Sequence, residues 1–178
     1  MNFDLQRTIE VLERTPVVLD SLLGGLSDPW VTNNYGEKTF SPYDVVGHLI
    51  HADRTNWMVR LHVILESGEA EPFPEFDRYA MYEASKGKTI RELLEAFSSL
   101  RAGKLKELRA LNLTEELLDR RGIHPALGTA TARQLLSTWV VHDLGHCHQI
   151  VKAMAFQYRD NVGPWAAYLT ILPSQESA

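Results

Sequence analysis

Apolar residues recur every three or four positions over four long stretches of the chain, which is the spacing of the buried face of an α-helix. These stretches cover residues 3–23, 41–67, 89–108 and about 131–156. Pro16 is expected to kink the first helix, because proline donates no amide hydrogen and its ring crowds the preceding turn. We therefore predict four long helices.

The segments between these helices contain the residues that break helices. Residues 24–36 are rich in Gly and Asn, and residues 68–79 contain two prolines and several acids, so both are predicted to be loops. Residues 112–130 are predicted to be irregular apart from one helical turn after Thr114, and a brief helix is expected over residues 165–169. The predicted fold class is all-α, an antiparallel four-helix bundle with short extra helices, formed by one domain over residues 1–178.

The composition excludes several classes of function. The formal charge is −5, and a nucleic-acid partner would require clustered Lys and Arg. The most basic stretch, residues 101–109, alternates with Leu and Glu and is predicted to be a solvated helix face. No apolar run approaches the roughly 20 residues that cross a membrane. The single cysteine, Cys147, forms no internal disulfide, and without a predicted signal peptide the expected location is the cytoplasm.

The fourth predicted helix carries the most informative pattern. His142 and His146 are four residues apart, so they lie on the same face, one turn above the other. Their face is otherwise formed mainly by apolar residues, Leu135, Trp139, Ile150 and Ala153, with Gln149 beside them. Two imidazole nitrogens placed in this way can bind one metal ion at about 2.0–2.1 Å. A buried imidazole needs a polar partner, and a metal ion is one such partner.

His48 is the natural third ligand. It belongs to the inward stripe of the second predicted helix, together with Val45, Leu49, Ala52 and Val59. Three histidines would leave coordination positions for water or substrate, as catalytic metal sites do, whereas structural zinc sites usually have four protein ligands.

Other interpretations remain open at this point. The three histidines could be hydrogen-bonded core residues in a plain structural protein. His51 competes as third ligand, but is better placed as an outer contact or a surface residue. His148 points away from the proposed ligand face, and Cys147 is expected to be a packed residue and not a nucleophile. Asp53 and Asp143 either orient ligand imidazoles or are solvated acids.

Two segments resemble a known family. SPYDVVGHLIHADRTNW, residues 41–57, and HDLGHCHQI, residues 142–150, are similar to the second-helix and fourth-helix patterns of the DinB/YfiT-like superfamily of metal-dependent enzymes. The PEFD stretch before Arg78 also resembles a loop of the YfiT branch. The resemblance implies that His48, His142 and His146 bind zinc, nickel or another divalent ion in a four-helix bundle that is often dimeric. One departure is His148, where relatives commonly have a small residue such as Gly.

The resemblance also sets the functional expectation. It implies a divalent-metal-dependent enzyme that acts on a small molecule, either as a hydrolase or as a transferase that uses a low-molecular-weight thiol such as bacillithiol or mycothiol. The alternative is a non-catalytic metal-binding or stress-response module. HExxH, Walker, GxSxG and GxGxxG motifs are absent from the sequence, which removes most competing enzyme classes.

Overall fold

A computed structural model describes residues 2–172 of the chain, most of them in α-helices. The α-helices are α1 Leu5–Leu23, α2 Asp28–Thr32, α3 Pro42–Thr55, α4 Trp57–Glu66, α5 Met81–Ser85, α6 Ile90–Ala110, α7 Glu115–Leu118 and α8 Ala132–Phe156. Two short strands, β1 Arg121–His124 and β2 Gly128–Thr131, pair antiparallel between α7 and α8. Two 3₁₀ helices occupy Gly68–Ala70 and Gly163–Tyr168.

Three of the longer helices begin with the same capping arrangement. At the start of α3, α6 and α8 a hydroxyl side chain accepts from the third backbone N–H of the helix, and the side chain at that third position accepts from the cap. The pairs are Ser41 with Asp44, Thr89 with Glu92, and Thr131 with Gln134. Because each box satisfies two amide groups that would otherwise lack a partner, the helix starts are defined locally.

The four long helical segments form one bundle. Helices α1 and α3 each pack against both α6 and α8. The core between them divides into two clusters, one centred on Trp57, Leu61 and Trp139, the other on Leu49, Phe97 and Ile150. The predicted four-helix bundle with short extra helices is therefore confirmed. No helix among the described residues is both long and apolar enough to cross a membrane.

The second predicted helix is in fact two helices in succession. At Asn56 the backbone, with φ −116° and ψ −74°, departs from helical values, and α4 begins at the next residue. Asparagine is a poor helix former because its side chain competes for backbone hydrogen bonds. The interruption changes the direction in which later side chains point. Val59, which was predicted to face inward, is 37% exposed, so that part of the prediction is wrong.

The β-hairpin was not predicted, although α7 confirms the helical turn expected after Thr114. The hairpin holds the 68–79 segment in place: the Phe73 amide donates to the Ile123 carbonyl at 2.8 Å, and the Phe73 side chain is buried. A Cβ atom at Gly122 would lie 2.6 Å from Cε1 of Phe73, so only glycine allows this close contact. The segment predicted as a long loop is thus anchored at its centre.

Candidate metal centre

The packing of α3 against α8 brings three histidines together. His48 projects from α3. His142 and His146 project from α8, and His142 follows His48 by 94 positions in the sequence. His48 is buried, whereas the other two are partly exposed. Gly47 contributes to this arrangement, since a Cβ atom there would lie 2.4 Å from Oγ of Ser85. Glycine therefore lets α5 lie directly against α3 beside His48.

The Nε2 atoms of the three rings face a common point. The Nε2 atoms of His48 and His142 are 3.3 Å apart, and those of His142 and His146 are 3.1 Å apart. Two ligand atoms that lie about 2.0–2.1 Å from an ion in tetrahedral geometry are separated by about 3.3 Å. The observed separations fit a shared divalent cation, and the all-nitrogen donor set suits zinc, nickel, copper or iron.

The electrostatic environment keeps two of the imidazoles, those of His48 and His146, neutral. Burial, followed by the neighbouring histidines, lowers the pKa of His48 to about 3, and contact with the Arg78 backbone opposes this effect. Burial and the His142 ring likewise lower the pKa of His146 to about 4. Only a neutral imidazole has a free lone pair, so both rings are in the form that binds a metal at neutral pH.

Gln149 orients one of the three rings. Its Oε1 atom lies 2.9 Å from Nδ1 of His146 and accepts a hydrogen bond from the N–H there, which leaves the lone pair on Nε2 toward the centre of the cluster. The sequence places Gln149 on the ligand face, but it offers no direct sign of this role. For His48 and His142, Nδ1 is buried without a hydrogen-bond partner among the described residues.

Aromatic side chains surround the histidines on several sides. The rings of Phe40 and Phe76 lie 5.6 Å and 5.7 Å from that of His48, centre to centre. The ring of Trp57, the first residue of α4, lies 5.0 Å from that of His142, centre to centre, with an angle of 72° between the planes. Phe76 belongs to the segment that the hairpin anchors, so this segment forms part of the site. Such rings exclude water from His48 and contribute no competing ligand.

Several other candidate residues lie outside the cluster. His51 contacts the Phe76 ring and approaches Thr55, and it is not part of the three-histidine cluster. His148 is exposed, which agrees with its predicted position on the outer surface of α8. Cys147 is partly buried against the core, and burial raises the pKa of its thiol. A thiol in this protonated form is a weak nucleophile, in agreement with the packing role that the sequence favours.

The prediction for residues 101–109 is wrong at its first residue. Arg101 is 1% exposed, and it lies between the carboxylates of Asp53 and Asp143, which are also buried. The alternative in which these two acids are solvated is therefore excluded. Asp143 comes closest to the site, with Oδ1 4.0 Å from Nδ1 of His142, which is beyond hydrogen-bond distance.

Within residues 2–172, no further His, Cys, Asp or Glu donor joins the three histidines. A cation held by these three side chains would therefore retain open coordination positions. That property is typical of catalytic metal sites and not of closed structural ones.

Comparison with known proteins agrees with this architecture. The solved structure of YfiT from Bacillus subtilis, described as a probable metal-dependent hydrolase with an unusual four-helix bundle topology, matches the chain with a TM-score of 0.71. The match covers 88% of this chain and 87% of that one at 23% sequence identity, so it shows a shared fold. No curated protein sequence matches the chain. The sequence profile of the DinB superfamily matches residues 11–150, and the chain therefore belongs to the DinB superfamily.

Proposed function

We propose that the chain is a divalent-metal-dependent enzyme for a small-molecule substrate, with His48, His142 and His146 as the metal ligands. The observation that carries this proposal is the convergence of three imidazole nitrogens without a fourth protein donor in the described part of the chain. Nε2 of His142 lies 3.3 Å from that of His48 and 3.1 Å from that of His146. Zinc or nickel is the proposed ion, because both accept three imidazoles and an exchangeable ligand.

The residues around the cluster have separable tasks. The three histidines hold the ion, Gln149 fixes the tautomer of His146, and Phe40 and Phe76 shield the His48 side. The side chain of His142 is 23% exposed to solvent, which supports access for a small molecule at this histidine. When bound, a divalent ion supplies a Lewis acid that polarises a substrate group and makes water or a thiol acidic near neutral pH.

Two reaction classes follow from the proposal. In a hydrolase, water attacks the substrate, and in a thiol-dependent transferase, the sulfur of a low-molecular-weight thiol does so. Both need an open coordination position, whereas a non-catalytic metal-binding or stress-response module does not. Access to the ion therefore separates the enzymatic proposal from its alternative.

The first experiment measures metal content by elemental mass spectrometry in the wild type, His142→Ala and His148→Ala. His148→Ala is the matched control, since it removes an exposed imidazole from the same helix. The proposal expects about one ion per chain in the wild type and the control, and loss of the ion in His142→Ala. Wild-type protein that stays metal-free after dialysis against zinc and nickel would refute it.

The second experiment follows the visible spectrum of cobalt-substituted protein while a small thiol is added. A change in the cobalt absorption bands would show that an exogenous ligand reaches the ion, as the enzymatic proposal requires. An unchanged spectrum would favour the non-catalytic alternative. Hydrolase and thiol-transfer assays on metal-loaded protein, with His142→Ala as the inactive control, would then decide between the two reactions.

A further inference from the structure

The guanidinium group of Arg101 uses all of its N–H donors inside the bundle. Nε and Nη2 donate to the two oxygens of Asp53 at 2.7 Å and 3.0 Å. Nη1 and Nη2 donate to the two oxygens of Asp143 at 2.6 Å and 3.2 Å. The remaining donor of Nη1 binds the carbonyl oxygen of Leu12 at 3.0 Å. A planar group held by five bonds has no freedom to change its orientation.

These bonds connect the four long helical segments at one point. Leu12 lies on α1, Asp53 on α3, Arg101 on α6 and Asp143 on α8. The Phe97 and Trp139 rings pack on the guanidinium group at 4.9 Å and 5.1 Å from its central carbon. Apolar core contacts are not directional and tolerate small shifts between helices, whereas two forked ion pairs fix both distance and orientation.

The helices that Arg101 joins through its ion pairs are those that carry the proposed metal ligands. Asp53 follows His48 by about one and a half turns on α3, and Asp143 is the residue after His142 on α8. A displacement of α3 along α8 would change the separation of Nε2 in His48 from the two nitrogens on α8. Metal affinity depends on this separation, because it has to match the coordination distance.

Stability alone does not account for the cluster. Removing three charged groups from water is costly, and well-packed apolar residues in place of a buried ion-pair cluster are often equally stabilising. A geometric role is a physical reason to retain such a cluster.

We propose that Arg101 is a positioning residue that fixes α3 against α8, and so holds His48, His142 and His146 at metal-binding separation before an ion arrives. This inference rests on the proposed metal site. According to this inference, Arg101 acts through the geometry of its forked ion pairs. A replacement that keeps the positive charge but cannot form these pairs would therefore impair the site.

Arg101→Lys provides the direct test, because lysine is a single-point donor and cannot bind both carboxylates by forked pairs. The measured quantities are the cobalt dissociation constant, the cobalt absorption bands, and the circular dichroism and melting temperature of the chelated protein. We expect a folded variant that binds cobalt about 10–100 times more weakly, with altered bands. A folded variant with wild-type affinity and bands would overturn the inference.

A triple variant, Asp53→Leu/Arg101→Met/Asp143→Leu, keeps the test valid if Arg101→Lys does not fold, since it leaves no unpaired charge. The same weakening of cobalt binding is expected in this variant, and wild-type affinity and bands would again overturn the inference. The matched control is Glu13→Leu/Arg109→Met, which removes an exposed α1–α6 ion pair of 2.6 Å and should leave cobalt binding unchanged.

Failure of the inference can be told apart from failure of the proposed function. If the wild type binds no cobalt, the metal site itself is refuted and the inference with it. If the wild type binds cobalt and the folded variants bind it equally well, the metal site stands and only the positioning role is refuted.

Discussion

Replacement of Arg101 by methionine is expected to destabilise the metal-free protein strongly. Methionine fills part of the space but leaves two carboxylates, both with fully buried side chains, without their cation. Removing one partner of a buried ion pair costs about 3–5 kcal/mol, which is a large part of the roughly 5–15 kcal/mol that stabilises a typical domain. For a domain of this length the melting temperature falls by about 2–4 °C per kcal/mol, so a fall of about 6–20 °C is expected.

The pH dependence of this effect gives a second, independent criterion. In the wild type, burial acts to raise the pKa of Asp143, but the His142 ring and the Arg101 guanidinium lower it below its ordinary value. The stability from this carboxyl is therefore present above the unfolded pKa and is lost as the pH falls through the folded pKa. Burial already raises the pKa of Asp53 in the wild type, although the Arg101 guanidinium acts against it. In Arg101→Met, loss of the cation raises the pKa of both carboxyls further, so the variant gains stability relative to the wild type as the pH falls. The difference between the two proteins should shrink from pH 7 to pH 5.

Urea unfolding followed by circular dichroism, with a chelator present, measures both quantities. Arg109→Met is the matched control, because its partner Glu13 is a surface residue and such pairs contribute about 0–1 kcal/mol. The reasoning would be refuted if Arg101→Met lost less than about 1 kcal/mol at pH 7 and showed the same difference at pH 5.

Three further predictions concern the site and one helix start. Zinc at about 100 times its dissociation constant should raise the melting temperature of the wild type by about 5–10 °C, and that of His48→Ala by far less. Gln149→Leu should weaken zinc binding by about 10-fold or more, measured by chelator competition, without changing the melting temperature of the chelated protein. The Thr89 backbone amide donates a hydrogen bond to the Glu92 carboxylate and thereby lowers the pKa of that carboxyl. The stability that this bond contributes is therefore present above the ordinary pKa of 4.5 and is lost as the pH falls through the lower pKa of the folded state. Urea unfolding of Glu92→Gln from pH 6 to pH 3 should therefore show a weaker pH dependence than the wild type, and an equal slope would contradict this.

The helix starts and the shared face of the two α8 histidines were predictable because their determinants are local. Ser41 and Thr89 form capping boxes with residues three positions later, and such patterns can be read directly from the sequence. The spacing of His142 and His146 fixes their common face in the same way. The addition of His48 required the packing of two distant helices, which the all-helical pattern and the family resemblance supplied together.

The cluster around Arg101 was missed because its partners are 42 and 48 residues away in the sequence. One indication was present, since Arg101 continues the apolar stripe of Phe97 and Leu105 at a spacing of four residues. A charged residue in such a stripe requires an opposite charge on a facing helix. The hairpin was missed for another reason: each strand has only four residues, too few for a clear alternation. The choice of zinc or nickel, the homodimer, the cytoplasmic location and the single domain over residues 1–178 stay predictions.

The stacked tryptophans beside the histidines give the protein a built-in optical probe. Trp57 and Trp139 are both buried, their rings lie 5.8 Å apart with an angle of 11° between the planes, and Trp57 also contacts His142. A paramagnetic ion held by that histidine would quench the emission of this pair. Trp165, by contrast, is 69% exposed. Iodide, which quenches exposed indoles, would suppress the Trp165 emission first. Fluorescence can therefore report occupation of the site separately from events at the surface, without any added label.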